Sequence, residues 1–280
     1  MKQYMHLSIE CADADSADIL TAFLSDYPFE CFNEGATEHG VLLETSMLVG
    51  EWERCEGEVS ALIEEYSQRV TMRLMEDENW NERWERESFE PVEIDNLMLI
   101  RSEYHNPPKD SNMLDIVISP AMSFGTGHHY TTRMMCRLIH DAQLAGRVLD
   151  VGCGTGVLSI AALKCGAEHA DAVDIDPWSA ESAERGAVLN GLDARMTIFT
   201  GTVEVVEGRR YDAVFANINR NIILADIDRY VEALNSGGVL FVSGFLKEDV
   251  TAIASNAEQR GLTLKSIISE EEWVAMAFVK

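Results

Sequence analysis

The stretch VLDVGCGTGVLSIAAL, residues 148–163, decides the fold of this 280-residue chain. An apolar run that ends at Asp150 is typical of a buried strand. Three glycines, Gly152, Gly154 and Gly156, follow at once, and a helical pattern begins after them. Ligands of open α/β sheets bind beyond the carboxyl ends of the strands, so this turn should face a ligand. The glycines let a ligand approach the backbone because no Cβ stands in the way.

The spacing of these glycines distinguishes between two kinds of nucleotide ligand. A dinucleotide site shows G-x-G-x-x-G and holds a pyrophosphate at the helix N-terminus. Here the pattern is G-x-G-x-G, with Val157 at the place of the last glycine and Asp150 just ahead of the turn. This combination is similar to motif I of class I S-adenosylmethionine-dependent methyltransferases. The resemblance implies that Gly152 and Gly154 bind the cofactor and that Asp150 helps to hold its cationic methionine end. A tight turn without a ligand is the alternative.

A second acidic position follows the next strand, in AVDIDP at residues 172–177. Asp174 stands 22 positions (174 − 152) beyond Gly152, close to the spacing of about 20 at which an acidic residue binds a ribose. A carboxylate suits both ribose hydroxyls because it offers two acceptor oxygens. We assign the ribose to Asp174, and we predict that Asp176 caps the helix that starts at Pro177.

A third signal is FANINRN, residues 215–221, where Asn217 closes an apolar strand. Amino methyltransferases place an Asn or Asp at this point, followed by an exposed backbone carbonyl, here at Ile218. The two oxygens accept hydrogen bonds from the substrate amine and aim its lone pair at the methyl group. The N-P-P turn that usually continues this motif in nucleic-acid amino methyltransferases is absent. An Asn in an ordinary strand-end turn is the competing interpretation.

The order of strand and helix patterns predicts two domains. From residue 126 to residue 280 they alternate regularly, which indicates an α/β domain with a mainly parallel, doubly wound sheet. Residues 1–95 follow a β-α-β-β-α-β order, typical of a small α+β domain. Residues 96–125 form a linker with two strands around a Pro-Pro turn. Trp80 and Trp84 would share one helix face, for core packing or for binding a partner.

Composition indicates a globular chain. Hydrophobic residues make up 46% and charged residues 25%, values of folded rather than disordered proteins. No apolar run approaches the roughly 18 residues that span a bilayer, and the first residues lack the pattern of a signal peptide. Six cysteines without a C-x-x-C pair favour reduced thiols over a disulfide framework or a zinc ribbon. We therefore expect a cytoplasmic protein that does not bind membranes.

The net charge of −26 is unevenly placed. Residues 1–100 hold 24 acidic and 6 basic side chains, a balance of −18, whereas residues 101–280 hold 24 and 16, a balance of −8. Contacts to phosphates need lysine and arginine, so direct binding of nucleic acid is not expected. An acidic front half attracts a basic partner and speeds their encounter. A solvated acidic face that only aids solubility is the competing interpretation.

Several motifs, taken together with the glycine turn, point to one family. The loop FGTGHHYTT at residues 124–132, the turn DIDP, the strand end ANI and the pair Glu-Trp at 272–273 follow in order. In order and detail the chain resembles the bacterial methyltransferases of large-subunit ribosomal protein eleven. The stretch W-x-x-x-W-x-x-x-x-F-x-P at residues 80–91 is similar as well. Asn219 and Arg220 depart from the apolar or small pair that the family usually has there.

This resemblance implies a Rossmann-like class I methyltransferase domain behind a ferredoxin-like domain that reads the substrate. The chain would methylate lysine side chains or the N-terminal amine of that basic ribosomal protein, with S-adenosylmethionine as cofactor and as a monomer. Thr132 would reach the methionine part of the cofactor, and Phe124 and Ile218 would lie near the incoming amine. Adjacent histidines such as His128 and His129 rarely converge on one ion, and no nearby cluster completes a shell, so no metal site is expected.

Three other functions stay open at this point. The polar Asn219 and Arg220 leave room for a methyltransferase that acts on another basic protein or on a small amine. A non-catalytic module could bind S-adenosylmethionine or an NAD-type nucleotide, although the glycine spacing speaks against NAD and Asn217 speaks for catalysis. A nucleic-acid methyltransferase is disfavoured by the charge and by the missing N-P-P turn.

Overall fold

The computed structural model describes residues 3–30, 32–37, 40–76, 89–110, 112–120 and 123–280. The chain forms two compact units, residues 1–80 and residues 81–280. The helix face predicted for Trp80 and Trp84 lies outside the described residues.

The first unit is a layer of two helices on one face of a four-stranded antiparallel sheet. Its elements are β1 (Gln3–Cys11), α1 (Ala14–Leu24), β2 (Phe32–Thr37), β3 (Gly40–Leu48), α2 (Val49–Tyr66) and β4 (Arg69–Glu76). The strands lie in the order β2-β3-β1-β4. Alternate residues of β1, Leu7, Ile9 and Cys11, are buried under the helices, because side chains alternate between the two faces of a strand. The predicted β-α-β-β-α-β order is therefore the observed one.

The second unit contains the strand–helix alternation. Its elements are β5 (Val92–Ile94), β6 (Met98–Arg101), β7 (Leu114–Val117), α3 (Tyr130–Ala142), β8 (Arg147–Val151), α4 (Val157–Lys164), β9 (His169–Asp174), α5 (Pro177–Leu189), β10 (Met196–Thr200), β11 (Tyr211–Asn217), α6 (Arg220–Ala233), β12 (Leu234–Leu246), α7 (Val250–Glu258), β13 (Thr263–Glu270) and β14 (Trp273–Val279). Across the described ranges, no helix is long and apolar enough to cross a membrane.

The main sheet has the strand order β10-β9-β8-β11-β12-β14-β13. The pairs from β10 to β12 are parallel, whereas β14 runs antiparallel to both of its neighbours. The chain moves outward from β8 through β9 to β10 and then crosses back to β11. The sheet therefore has a topological switch point between β8 and β11, where open α/β sheets bind their ligands. The predicted mainly parallel, doubly wound sheet is confirmed.

Both faces of this sheet are covered, as continuous apolar strands require. Val148 of β8 packs in one core cluster with residues of α3, α4 and α5. Its neighbours Leu149 and Val151 pack in a second cluster with residues of α6 and α7. The short sheet β5-β6-β7 adds Ile100 and Ile116 to the first cluster. The segment 96–125, expected as a linker with a strand pair, thus contributes β6 and β7 to the second unit.

A buried carboxylate holds β9 to β11 and to the start of β8. Asp171 has no exposed surface, and its oxygens accept hydrogen bonds from Tyr211 at 2.7 Å, Arg209 at 2.8 Å and Arg147 at 3.2 Å. Burial opposes ionisation of this carboxyl, but the hydrogen bonds from Tyr211 and Arg209 and the charge of Arg147 outweigh it and lower the pKa of Asp171. The cluster is thus an anchor of the sheet, in which a buried carboxylate and a buried tyrosine meet two arginines that lie partly in solvent.

We expect Asp171→Ala to lower the free energy of unfolding of the second unit by about 1–3 kcal/mol, because the variant leaves the buried hydroxyl of Tyr211 without its acceptor, whereas the exposed Arg147 and Arg209 turn to solvent. The exposed Asp193 offers a control, and Asp193→Ala should change stability by less than ~0.5 kcal/mol. Urea titration at pH 7 and pH 3 measures both. The lowered pKa means that the stabilising charge is lost as pH falls below the ordinary Asp range, so the difference should shrink at pH 3. An equal, small loss for both variants would contradict this account.

Candidate active site

A cleft of about 430 Å³ opens at the switch point of the main sheet. Its walls come from the ends of β8, β9 and β11 and from the segments that follow them. Among the predicted site residues, Phe124, Gly152, Gly154, Asp174, Asn217 and Ile218 line this cleft. Residues that are up to 94 positions apart in the sequence (218 − 124) therefore meet at one edge of the sheet.

The glycine turn forms the floor of the cleft, and its backbone requires glycine. Gly152 and Gly154 have φ angles of +70° and +55°, which side chains other than glycine rarely adopt. A Cβ on Gly152 would lie 2.3 Å from the Ile218 side chain, and one on Gly154 would lie 2.2 Å from the carbonyl oxygen of Phe124. The turn is thus shaped by close contact with two other segments of the site.

Asp174 at the end of β9 and Asp176 two residues further have different partners. Asp174 lines the cleft, and its oxygens accept hydrogen bonds from the backbone N–H groups of Gly154 at 2.9 Å and Asp176 at 3.0 Å. Asp176 accepts from Trp178 N–H at 3.1 Å and caps α5, with Pro177 in the first turn. The cap prediction is confirmed, and Asp174 is fixed at the mouth with its carboxylate toward the glycine turn.

Asn217 ends β11 between this cleft and a second one. The second cleft has a volume of about 310 Å³ and shares Phe124, Asn217, Ile218 and Asn219 with the first. The side-chain oxygen Oδ1 of Asn217 is buried and has no hydrogen-bond partner among the described residues. Ile218 donates its N–H to the carbonyl oxygen of Ser243 at 3.1 Å, which fixes the strand end. An unpaired acceptor therefore stands where the two clefts meet.

The polar pair that departs from the family pattern is used by the helix that follows. Asn219 caps α6 by accepting the N–H of Asn221 at 2.9 Å. The Arg220 side chain pairs with Asp249 at 2.5 Å and with the side chain of Asn221, and it does not line the second cleft. The charge of Arg220 is thus neutralised beside the site instead of entering the pocket.

The loop between residues 123 and 129 lies over the glycine turn. The carbonyl oxygens of Phe124 and Gly125 accept the N–H and the hydroxyl of Thr155, at 2.9 and 2.7 Å. The Phe124 ring is 54% exposed and lines both clefts. Thr132, in the first turn of α3, is buried instead, and its hydroxyl has no partner in the described part of the chain. Thr132 lines neither cleft, so its predicted contact with the cofactor stays a prediction.

Two aromatic residues that spacing alone did not single out form a wall of the second cleft. The rings of His129 and Trp273 meet edge to face, with centroids 4.6 Å apart. Nδ1 of His129 lies 2.8 Å from the hydroxyl oxygen of Thr131 and 3.3 Å from its backbone nitrogen. Burial and the nearby charge of Arg133 lower the pKa of His129. Their part in the cleft could not be read from spacing, because the two residues lie far apart in the chain.

An ion-pair network holds this loop from behind. Glu270 of β13 accepts from Arg133 at 2.5 Å and from Arg137 at 2.5 Å. Arg133 also donates to the carbonyl oxygen of His128 at 2.5 Å, and Arg137 pairs with Asp95. Burial alone would raise the pKa of Glu270, but the two arginines lower it. The network links β13, α3 and the hairpin of β5 and β6 to the loop.

Asp150 lies beneath the turn and outside the lining of the cleft. It is 1% exposed, and its Oδ2 accepts the N–H and the hydroxyl of Ser159 at 3.1 and 2.8 Å. Its other oxygen, Oδ1, has no hydrogen-bond partner in the described ranges. Burial raises the pKa of Asp150 to about 7, helped by the charge of Asp174 and opposed by Ser159. The residue thus holds the start of α4 and keeps one acceptor unsatisfied.

The described residues contain no group of three histidine, cysteine, aspartate or glutamate side chains that could hold a metal ion. His128 contacts the hydroxyl of Thr126 at 3.1 Å and the ring of Phe89, with ring centroids 5.3 Å apart. His129 contacts Thr131 and Trp273. The two histidines therefore have different neighbours and different places in the loop.

This fold and this cleft define a class I methyltransferase, with its ligand cleft at the switch point of the sheet. The sequence matches the family described as "Ribosomal protein L11 methyltransferase" over residues 37–280. The chain belongs to that family. It is 37% identical to the "Ribosomal protein L11 methyltransferase" of Porphyromonas gingivalis, over 93% of this chain and 90% of that protein.

Two further relatives agree with this placement. The protein of the same name from Bacteroides fragilis is 36% identical over 94% of this chain and 93% of its own length. The crystal structure of the "ribosomal protein L11 methylase" from Lactobacillus delbrueckii subsp. bulgaricus superposes with a TM-score of 0.63 at 25% identity, covering 68% of this chain and 98% of that one. The class I methyltransferase fold and the family predicted from the motifs are confirmed.

We expect Gly154→Ala to destabilise the second unit by about 2–4 kcal/mol, from the left-handed backbone and from the overlap with the Phe124 carbonyl. Gly191→Ala is a matched control, because Gly191 has a φ of +66° and no atom within 4 Å of an added Cβ. Its cost should be only ~1–2 kcal/mol, from the backbone alone. Urea unfolding of the two variants measures the difference, and equal losses would show that the turn tolerates a side chain here.

Proposed function

We propose that this chain transfers methyl groups from S-adenosylmethionine to amino groups of ribosomal protein L11. The observation that carries the proposal is the position of Asn217, whose buried and unpaired Oδ1 lies where the two clefts meet. A cofactor in the first cleft and an amine in the second would face each other at this residue. The L11 substrate is the one that the relatives carry in their names.

The residues of the first cleft suit S-adenosylmethionine. The glycine floor leaves a cradle that a Cβ on Gly152 or Gly154 would disturb, and Asp174 offers carboxylate oxygens at the mouth for a ribose. Thr132 and Asp150 lie behind the lining of the cleft and hold buried polar atoms that have no partner in the described residues, and buried polar groups are normally satisfied. A ligand with ribose hydroxyls and an ammonium group offers the donors that these acceptors lack.

The second cleft suits an alkyl amine. When bound, S-adenosylmethionine supplies a methyl group on a cationic sulfur for in-line displacement. Asn217 Oδ1 and the carbonyl oxygen of Ile218 accept the N–H groups of the amine and so aim its lone pair toward the first cleft. Phe124, His129 and Trp273 give apolar walls that desolvate the amine, and desolvation lowers an amine pKa and favours the reactive neutral form.

The arrangement assigns no side chain as the general base. A free lysine has a pKa near ~10.4, so only about one in a thousand is neutral at pH 7. Nδ1 of His129 is already engaged with Thr131, and its ring packs on Trp273, so His129 serves as an aromatic wall of the cleft. The amine proton would leave to water at the open side of the second cleft.

The first unit would supply recognition of a basic substrate. Helices α1 and α2 carry eight acidic residues and one basic residue, Arg54, which pairs with Glu51 at 2.7 Å. Such a surface attracts a cationic protein and raises the rate of encounter. Because the proposed substrate is a ribosomal protein, we expect the enzyme in the cytoplasm. We also expect it to act as a monomer and not to bind nucleic acid directly.

The first test is the intact mass of ribosomal protein L11 after incubation with the enzyme and S-adenosylmethionine. We expect added mass in methyl steps with the wild type and a rate loss of about 100-fold or more with Asn217→Ala, because the amine loses its orienting acceptor. Asn256→Ala is the matched control, since Asn256 lines neither cleft and bonds Arg260. If the enzyme binds S-adenosylmethionine but the mass of L11 does not change, the cofactor assignment stands and the substrate assignment is wrong. The substrate would then be another basic protein or a small amine.

A second test concerns the acidic helices. Glu53→Gln with Glu64→Gln on α2 should raise the KM for L11 several-fold at low salt and leave kcat unchanged, because surface charge acts on encounter. The difference should shrink at 0.5 M salt, where the Debye length is only a few Å. Glu248→Gln with Glu258→Gln, exposed positions of the second unit, is the control. Equal KM values for both pairs would contradict a recognition role of the first unit.

A further inference from the structure

Asp150 is a carboxylate without a counter-charge among the residues that the structure describes. Its Oδ2 has two donors, both from Ser159, whereas its Oδ1 is buried and has none in the described part of the chain. The residues opposite it on the neighbouring strands, Ala172 and Phe215, are apolar. A buried and half-satisfied carboxylate is costly to keep ionised, so this position favours either a proton or an incoming cation.

The titratable groups that act on Asp150 come from each element packed against it, and none of those described is a cation. Asp174 at the end of β9 adds a like charge. Cys136 of α3 and Cys153 of the glycine turn are buried thiols, and the charge of Asp150 helps to raise the pKa of both. The nearest helix, α4, contributes the hydroxyl and N–H of Ser159. The protein itself therefore offers dipoles and negative charge to Asp150.

We infer that Asp150 is a proton-exchange site for cofactor binding: it holds a proton in the free protein and releases that proton when the ammonium group of the ligand binds beside the glycine turn. The inference rests on the proposed use of S-adenosylmethionine. The bond that breaks is O–H of the Asp150 carboxyl, the proton goes to solvent, and the ligand ammonium replaces its charge. Gly152, two residues further along the chain, lines the cleft, so the charge of a ligand there acts on Asp150 across the glycine turn.

The direction of the pH effect follows from linkage. The pKa of Asp150 in the free protein is raised by burial to about 7, and a nearby ammonium lowers it. Binding therefore releases a proton, and affinity falls as pH drops below 7, by about tenfold per pH unit. The α-amino group of the ligand titrates near ~7.7–8.0, so it stays charged over this window.

Ser159 is the positioning residue of this device. Its hydroxyl and N–H stabilise the ionised form of Asp150 and leave Oδ1 free. Removing the hydroxyl should move the midpoint of proton release upward by about one pH unit, because the hydrogen bond from Ser159 favours the charged form of the carboxyl. A purely structural serine would weaken binding at every pH without moving this midpoint.

The test is calorimetry of the full chain with S-adenosylhomocysteine, an unreactive probe with the same ammonium group, in buffers of different ionisation enthalpy. We expect release of roughly half a proton per bound ligand at pH 7 and nearly one at pH 6. Asp150→Asn should release none and should bind with a pH-independent affinity over pH 5.5–7. Methylthioadenosine, which lacks the ammonium, should release no proton from the wild type.

Ser159→Ala should shift the release midpoint, and Ser182→Ala is its control. Ser182 is a buried serine on α5 that donates to the carbonyl oxygen of Ser119 at 2.5 Å, so its loss disturbs a helix but not Asp150. A wild-type binding enthalpy that is the same in every buffer would overturn the inference while leaving the proposed function intact. Absence of S-adenosylhomocysteine binding at any pH, by equilibrium dialysis, would instead refute the cofactor assignment itself.

Discussion

The turn from Gly152 to Gly156 packs against four separate segments, and each approach depends on a missing Cβ. Side chains there would overlap the Ile218 side chain, the Phe124 carbonyl and the residues Met196 and Ala183. The same turn is tied by hydrogen bonds to Asp174 and to the loop over it. Both clefts share walls with these segments. The backbone of the glycine turn therefore fixes three parts of the site. These are the loop that carries Phe124, the carboxylate of Asp174 and the strand end at Asn217.

Around this turn lie buried polar atoms that have no hydrogen-bond partner within the described ranges. Thr132 Oγ1, Asp150 Oδ1 and Asn217 Oδ1 belong to three different elements, α3, β8 and β11. Each unsatisfied buried group costs about 1–3 kcal/mol, so the site is built at the expense of the stability of the fold. The anchor at Asp171, where one carboxylate receives donors from Tyr211 and two arginines, shows the opposite arrangement.

Local patterns in the sequence were sufficient for the fold and for part of the site. Strand and helix periodicity gave the parallel sheet, and the glycine spacing, Asp174 and Asn217 gave the cleft, because these signals sit where strands end. The cap by Asp176 followed from Pro177 beside it. The wall of His129 and Trp273 could not be predicted in the same way, since it depends on β14 being inserted between β12 and β13. Nor did spacing reveal that Arg220 turns to Asp249, 29 positions away.

The position of β14 in the sheet has a consequence for the order in which the protein folds. The last strand of the chain lies inside the sheet, with Val274, Met276 and Phe278 in one buried cluster and Ala275 and Ala277 in the other. Neither the sheet nor the wall at Trp273 can close before these residues are present. Completion of the pocket therefore waits for the folding of a strand that begins 121 positions (273 − 152) after the first glycine of the turn.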